Sequence, residues 1–378
     1  MGVLGLVPEW WGGPWMPRHH VMSRLSRYFH VAWVEPAREW REIWRAEPRA
    51  AAFPATAAFH RYQAPPWLPL VYRPRFLSAA TARARLRDAA ALLAARGCRR
   101  LVLYVWRPEL GDALDHVPHD VSCYHIDDEY SFSDVERPIK PVEAALLARV
   151  DQVIIHSPAL LEKKGTGDGR TAFVPNGVDY AAYTTEQPEP ADLRDVPRPR
   201  IGYVGMIKQQ LDFRLLHALA EHHPTWQFVF VGPDGSLGDQ AALRATLAQR
   251  PNVTFLGGKP LAALPAYTQH LDVCLMCYQV NDYTNFIYPL KLHEYLAAGR
   301  PIVGAPIRTL HDFAHVVEIA RTPAEWSAAI ARSLAGDATT PQRIEARRAA
   351  ARPHDWDRLV ATIAGLLAER LGRTASFL

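Results

Sequence analysis

The strongest constraint in this chain is a rhythm. Short apolar runs alternate with stretches of helical period almost from end to end. In the first half the strand-like runs are 2–7, 30–35, 101–106, 121–126, 152–156 and 172–174, with helical stretches such as 79–95 and 140–148 among them. In the second half strands are expected at 200–204, 227–231, 253–256, 273–278, 301–304 and 316–319. Helices are expected there at 213–222, 240–248, 261–268, 289–298 and 323–334. Such strand–helix alternation argues for parallel strands joined by helical crossovers. The fold expected is therefore α/β, with doubly wound, Rossmann-like sheets.

A chain of 378 residues is too long for one ordinary domain and suits two. The break is expected in TEQPEPADLRDVPRPR, residues 185–200, which holds four prolines and mixed charge and shows no apolar periodicity. The organisation read from this is 1–190, a first Rossmann-like domain; 191–353, a second Rossmann-like domain; and 354–378, a C-terminal helix. Trp356, Leu359, Ile363, Leu366 and Leu367 give that helix an apolar stripe, with which it would cross back onto the first domain. Ligands of such sheets bind beyond the carboxyl ends of the strands, so two in tandem suggest a ligand between them.

Composition removes several function classes. Lys and Arg total 43 against 39 Asp and Glu, too mild a surplus to require nucleic acid, though an anionic ligand or a membrane surface fits it. Four cysteines make no disulfide framework, and Cys274 and Cys277 sit in an apolar run without further metal ligands. A buried structural role in a reduced, cytoplasmic setting is expected for them. The sequence has no run of about 18 apolar residues, so no spanning helix is expected. MGVLGLVPEWWGG reads as a strand and loop, not as a leader. GPDGSLG, residues 232–238, lacks the lysine of a P-loop and reads as a turn after a strand. His19 and His20 are adjacent and point different ways, so no metal role is assigned to them.

The most informative stretch is NDYTNFIYPLKLHEYLAAGRP, residues 281–301. Pro289 suits the first turn of a helix and Gly299 its end. The start of such a helix attracts anions, and Lys291 within the first turn adds a point charge suited to phosphate. Glu294 follows three residues later on the same face, where a carboxylate can accept hydrogen bonds from a vicinal diol. One helical turn is thus equipped for a diphosphate and the ribose beside it.

PLKLHEYLAAGRPIV resembles the donor-site motif of GT-B glycosyltransferases, in particular their large bacterial retaining family. Asn281 and Thr284 match an N-x-x-T found in the subset with teichuronic-acid and exopolysaccharide-type enzymes. VPNGVD (174–179), IGYVGMI (201–207), HPTWQFVFVGP (223–233) and DWDRL are similar to family segments in the same order. The resemblance covers most of residues 100–378. It implies a nucleotide-diphosphate-sugar donor, UDP- or GDP-linked, bound mostly by the second domain, with no metal and no further cofactor. By carry-over, Glu294 holds the ribose and Lys291 the phosphates, with Gly205, Lys208, Asn281, Thr284, Tyr288, Pro289, Leu290 and Gly13 counted among the donor-binding residues. The chain departs from the family where a sugar-contacting glutamate is common, since Phe286 stands there. Met206 replaces the usual arginine after the glycine turn, and Leu211 stands near an expected lysine.

Two further constellations lie in the first half. YHIDDEYSFSD, residues 124–134, places Asp127, Asp128 and Glu129 at a strand's carboxyl end. Crowded carboxylates can supply a general base, and Asp128 or Asp127 is the candidate to deprotonate an acceptor hydroxyl, with Glu129 touching the acceptor. A helix N-cap is the alternative reading. PEWWGGPWMPRHH, residues 8–20, follows the first strand. Gly12 and Gly13 allow close backbone approach, and Trp11 and Trp15 are candidates for an acceptor groove, a packed loop or a membrane interface. Arg18, Arg24 and Arg27 nearby would favour an anionic lipid headgroup. Asn176 is read as a turn residue and counted among the acceptor-binding residues.

The expectation is a metal-independent hexosyltransferase-type enzyme. It would act on a saccharide or polyprenyl-linked acceptor in envelope or exopolysaccharide synthesis, in the cytoplasm or at the inner face of the membrane. A nucleotide-sugar epimerase of the same fold, or a nucleotide-binding protein with weak catalysis, are the alternatives.

Overall fold

The computed structural model describes residues 1–39, 41, 56–130 and 139–372. The chain divides into two compact units. One is Met1–Pro175 together with the chain from Trp356 onward; the other is Asn176–Asp355.

The first unit is built on a seven-stranded sheet. Its strands are β1 (Gly2–Leu6), β2 (His30–Val34), β3 (Phe59–Tyr62), β4 (Leu101–Val105), β5 (Val121–Ile126), β6 (Gln152–Ile155) and β7 (Thr171–Phe173). They lie in the order β3-β2-β1-β4-β5-β6-β7, all parallel. β1, β4, β5 and β6 are almost wholly buried, which explains why their sequences are near-continuous apolar runs rather than alternating ones. The order reverses between β1 and β4, so the crevice beyond their carboxyl ends is where such a sheet receives a ligand. β3 is the strand the apolar pattern did not announce. FHRY is half polar and forms an edge, where burial is partial.

The second unit repeats the design with β8 (Arg200–Val204), β9 (Gln227–Val231), β10 (Val253–Gly257), β11 (Val273–Met276), β12 (Ile302–Gly304) and β13 (Glu318–Ile319). Their order is β10-β9-β8-β11-β12-β13, again parallel, with the reversal between β8 and β11. Cys274 and Cys277 are fully buried there, and burial pushes both thiols up to about 12, so they act as small apolar side chains.

The proline-rich stretch 185–200 is not an open linker. It belongs to the second unit, which begins at Asn176. Its polar groups find partners in that unit: Asp192 accepts from Lys259 and Tyr267 at 2.6 Å, and Arg200 pairs with Glu189. The C-terminal helix, Trp356–Arg370, is part of the first unit as its stripe foretold. Trp356 stacks on His20 at 5.2 Å, and Asp357 receives Arg24 at 2.8 Å and Arg27 at 2.7 Å. Leu359, Val360, Ile363 and Leu367 are buried beneath it, each worth about 1.5–3 kcal/mol of transfer free energy before chain entropy is counted. Among the described residues, no helix is long and apolar enough to cross a membrane.

Candidate functional site

In the second unit β8 runs into Gly205 (φ 145°) and β9 into Gly232 (φ 150°), conformations that favour glycine. The two turns press together: a Cβ on Gly232 would lie 2.0 Å from the Gly205 carbonyl oxygen. A Cβ on Gly205 would lie 2.6 Å from Lys291 Cε. Lys291 is thereby laid across the Gly205 turn. Its Nζ stands 5.0 Å from the Tyr203 ring centroid and 5.9 Å from that of Tyr278, a cation held over two aromatic faces. Tyr203 belongs to β8 and Tyr278 follows β11, so the ammonium sits where the sheet order reverses.

Lys291 is carried by the helix Leu290–Ala297. Pro289 is its N-cap (φ −69°, ψ 128°) rather than its first helical residue. The fixed proline φ serves either position, and the extended ψ decides it. Tyr295, one turn after Lys291 on the same face, donates to the Val204 carbonyl and accepts the Val204 amide at 2.8 Å, which ties the helix to the end of β8. Glu294, three residues after Lys291, has its carboxyl raised above the ordinary range by burial, partly offset by the Lys291 ammonium and the Tyr183 hydroxyl.

Several residues expected in the donor site have other work. Thr284 is fully buried; its amide donates to Asn281 Oδ1 at 2.9 Å, and its hydroxyl receives the Asn281 amide at 3.0 Å. These two side chains close a turn on each other instead of facing a ligand. Tyr288 is buried in a stack with His293 and His354. Asn176, placed on the acceptor side from sequence, donates to the Tyr288 carbonyl at 2.6 Å within the second unit. It secures the loop before the Lys291 helix. Lys208 lies in the loop after Gly205 with its stem near Gly235, and Leu290 is half-buried at the helix start.

In the first unit, Asp127 stands just beyond β5 with its side chain 2% exposed. It accepts Arg18 at 2.9 Å and the Tyr130 hydroxyl at 2.5 Å. Arg18 also pairs with Glu9 at 2.8 Å, so one buried guanidinium serves two carboxylates. Burial alone would lower the Arg18 pKa, but Asp127, Tyr130 and Glu9 outweigh it and hold it well above its ordinary value. Asp128 is half-buried, and its Oδ1 accepts the Glu129 amide at 2.8 Å. Glu129 departs from the acceptor role read for it. It is 1% exposed and ion-paired with Lys163 at 2.9 Å and Lys164 at 3.1 Å, with Lys164 shared by Glu143. Residues 131–134, the rest of that motif and of its capping alternative, lie outside the described residues.

The tryptophan loop is a packed one. Trp11 is 4% exposed and meets Trp15, Trp33, His19 and Phe59 at 4.6–5.4 Å between ring centroids, so it is core and not acceptor groove. Trp15 lies against His20 at 5.0 Å in the same cluster. Gly13 turns back to donate to the Trp10 carbonyl at 3.0 Å, and Gly12 beside it is half-buried. Arg18, Arg24 and Arg27, expected to meet anionic lipid, are all paired with carboxylates of the chain. Among the described residues no group of His, Cys, Asp and Glu could hold a metal ion. Sequence reasoning missed Gly232, Tyr203, Tyr278 and Tyr183. A strand ending in glycine flagged the first of these; the tyrosines carried no signal beyond their strand or helix.

Residues 198–336 match the family Glycosyl transferases group 1. The chain is 33% identical over 237 residues to the putative teichuronic acid biosynthesis glycosyltransferase TuaH of Bacillus subtilis strain 168, an alignment that takes in 60% of this chain. It spans 58% of that relative's length. Sucrose-phosphate synthase from Thermosynechococcus elongatus has a similar structure, with a TM-score of 0.74 at 18% identity, covering 99% of this chain and 100% of that one. Anabaena HepE in complex with UDP gives a TM-score of 0.67 at 16% identity, covering 98% of this chain and 100% of that one. The chain therefore has the two-sheet fold of the GT-B glycosyltransferases, and its residues 198–336 are a domain of glycosyl transferases group 1.

Proposed function

We propose that this protein transfers a sugar from a nucleotide-diphosphate donor to a hydroxyl of a saccharide or lipid-linked acceptor, in cell-envelope or exopolysaccharide synthesis. The observation that carries this reading is Lys291, whose ammonium is laid over the Gly205 turn where the second sheet reverses, with Glu294 three residues further along the helix. As the acceptor oxygen bonds to the anomeric carbon, the bond from that carbon to the diphosphate oxygen breaks and negative charge grows on the leaving group. Lys291 and the start of its helix supply fixed positive charge for that oxyanion, so no metal is needed. The Glu294 carboxylate accepts the ribose hydroxyls. A uridine donor is favoured, because UDP is the ligand named for the HepE structure. The envelope role is supported by the name of the TuaH relative.

In an inverting reaction Asp128 or Asp127 takes the acceptor proton. In a retaining one these acids orient the acceptor, and the donor phosphate takes the proton. The reading places the enzyme in the cytoplasm or at the inner face of the membrane, where such donors and lipid-linked acceptors meet.

The test is a thermal-shift panel of UDP, GDP, ADP, CDP and dTDP on the wild type and on Glu294→Ala, followed by release of nucleotide diphosphate from the sugar donor with and without a saccharide acceptor. A ligand at 100 times its Kd stabilises by about 2.7 kcal/mol. One nucleotide should raise the wild-type Tm and leave the variant unmoved. If no nucleotide shifts the wild type at millimolar concentration, the donor site is wrongly placed.

A further inference from the structure

The first unit carries an exposed aromatic patch that plays no part in either site. Trp67 is 79% exposed, Phe76 76%, Tyr72 66% and Leu77 41%. Large side chains this open are costly to keep in water, and four within eleven residues do not arise from scattered surface apolarity. Two features hold them in place. Arg85 reaches from the helix Arg75–Ala94 to the carbonyl oxygens of Leu68 at 3.3 Å and Pro69 at 2.7 Å, which fastens the Trp67 loop to the helix. The helix itself buries only Ala89 and Leu93, so its first fourteen residues pack against nothing that fully covers them.

The charge around the patch is one-sided. Residues 56–87 contain six arginines and no Asp or Glu. Arg73, Arg75 and Arg87 are exposed and form no ion pair or hydrogen bond among the described residues. Arg83 is exposed and among the described residues meets the His116 ring, at 3.3 Å. Glu39, which accepts the Tyr72 hydroxyl at 3.0 Å, and Asp88, which accepts the Tyr62 hydroxyl at 2.9 Å, are carboxylates at the margin. Arg75 is the first residue of its helix, and no acid lies in the first turn. A cation there opposes the helix dipole and weakens the helix, so its position has no account in folding stability. Facing an anion, the same arrangement adds the positive helix end to the arginine charge.

We infer that Trp67, Tyr72, Phe76 and Leu77 insert at the interface of an anionic lipid bilayer while Arg73, Arg75, Arg83 and Arg87 engage its headgroup phosphates. Trp and Tyr suit the headgroup level, with an apolar body and a polar edge, and Phe and Leu suit the acyl boundary below it. The arginines give the preference for anionic lipid, each contributing on the order of fivefold in partitioning. This surface is distinct from the one expected from sequence, whose arginines are consumed by Glu9, Asp127 and Asp357. The inference stands apart from the transferase reading, since binding to lipid needs no turnover.

The test is co-sedimentation of the full chain with phosphatidylcholine vesicles, with and without added phosphatidylglycerol, at low and high salt. The wild type should pellet with the anionic vesicles only, and salt should release it. Trp67→Ser/Phe76→Ser should lose binding to the anionic vesicles. Arg73→Gln/Arg75→Gln should lose the anionic preference by roughly 25-fold, two arginines at the partitioning just given. All four side chains are exposed, so unchanged melting curves will show that the variants are folded. Absence of wild-type binding to anionic vesicles at low salt would overturn the inference. So would unchanged binding by the Trp67/Phe76 variant, or a wild-type dimer in sedimentation velocity that this variant dissolves, since the patch would then serve a second copy.

Discussion

Removing Arg18 should harm the first unit more than removing the carboxylate it binds, and the charges say why. Glu9, Arg18 and Asp127 form a partly buried row, with side-chain exposures of 22%, 8% and 2%. Asp127→Asn leaves Arg18 neutralised by Glu9, and the amide oxygen still accepts from Arg18 and Tyr130. The loss is the charge assistance of those bonds, about 1.5–3 kcal/mol. Arg18→Met leaves two facing carboxylates without their cation, for which about 3–5 kcal/mol is expected. At about 2–4 °C per kcal/mol for a unit of this size, Arg18→Met should melt on the order of 10 °C below wild type, and Asp127→Asn roughly half that far.

The two variants should also differ in their response to pH. Burial already holds the Glu9 carboxyl above its ordinary value despite Arg18. Without the arginine, the pKa of Glu9 rises further. A raised folded-state carboxylate gives stability that is present at low pH and lost as pH rises through the folded value. The deficit of Arg18→Met against wild type should therefore shrink from about pH 8 to about pH 5.5, while that of Asp127→Asn stays level. Urea melts of the three proteins at both pH values decide this. Equal deficits for the two variants, or a deficit for Arg18→Met that does not change with pH, would refute the charge accounting.

The glycine pair offers a second contrast. Gly232→Ala drives a Cβ to 2.0 Å from the Gly205 carbonyl, which is backbone and cannot yield, so soluble expression should be lost. Gly205→Ala meets the flexible Lys291 stem and should cost about 1–3 kcal/mol while abolishing the nucleotide thermal shift. Glu294→Gln should weaken nucleotide binding roughly tenfold to a hundredfold by calorimetry, if its charge receives the ribose hydroxyls. Because burial raises the Glu294 carboxyl, wild-type affinity should fall as pH drops through that raised value, and a flat profile would argue against the assignment. Burial also pushes His19 and His354 down to about 4, so stability should decline as pH falls from about 6.5 toward that value, by up to about 3 kcal/mol for each. A urea midpoint constant over this range would count against it.

The two sheets were legible in the sequence because their central strands are buried on both faces and read as unbroken apolar runs. β3 was not, since an edge strand such as FHRY needs no such run. Lys291 and Glu294 were legible for a local reason: a helix bounded by Pro289 and Gly299 fixes their spacing whatever the rest of the chain does. What local pattern cannot show is which groups are already taken. Trp11 stands beside two glycines and looks like a binding aromatic, yet Trp33 and Phe59, brought in by other strands, make it core. The three acids after β5 are the sharpest case. Their adjacency locates them at a strand's carboxyl end, but Asp127 goes to Arg18, 109 residues away in sequence, and Glu129 to Lys163 and Lys164. Asp128 accepts the next amide, that of Glu129. A carboxylate that neutralises a buried cation must lose that pairing before it can take a proton from an acceptor.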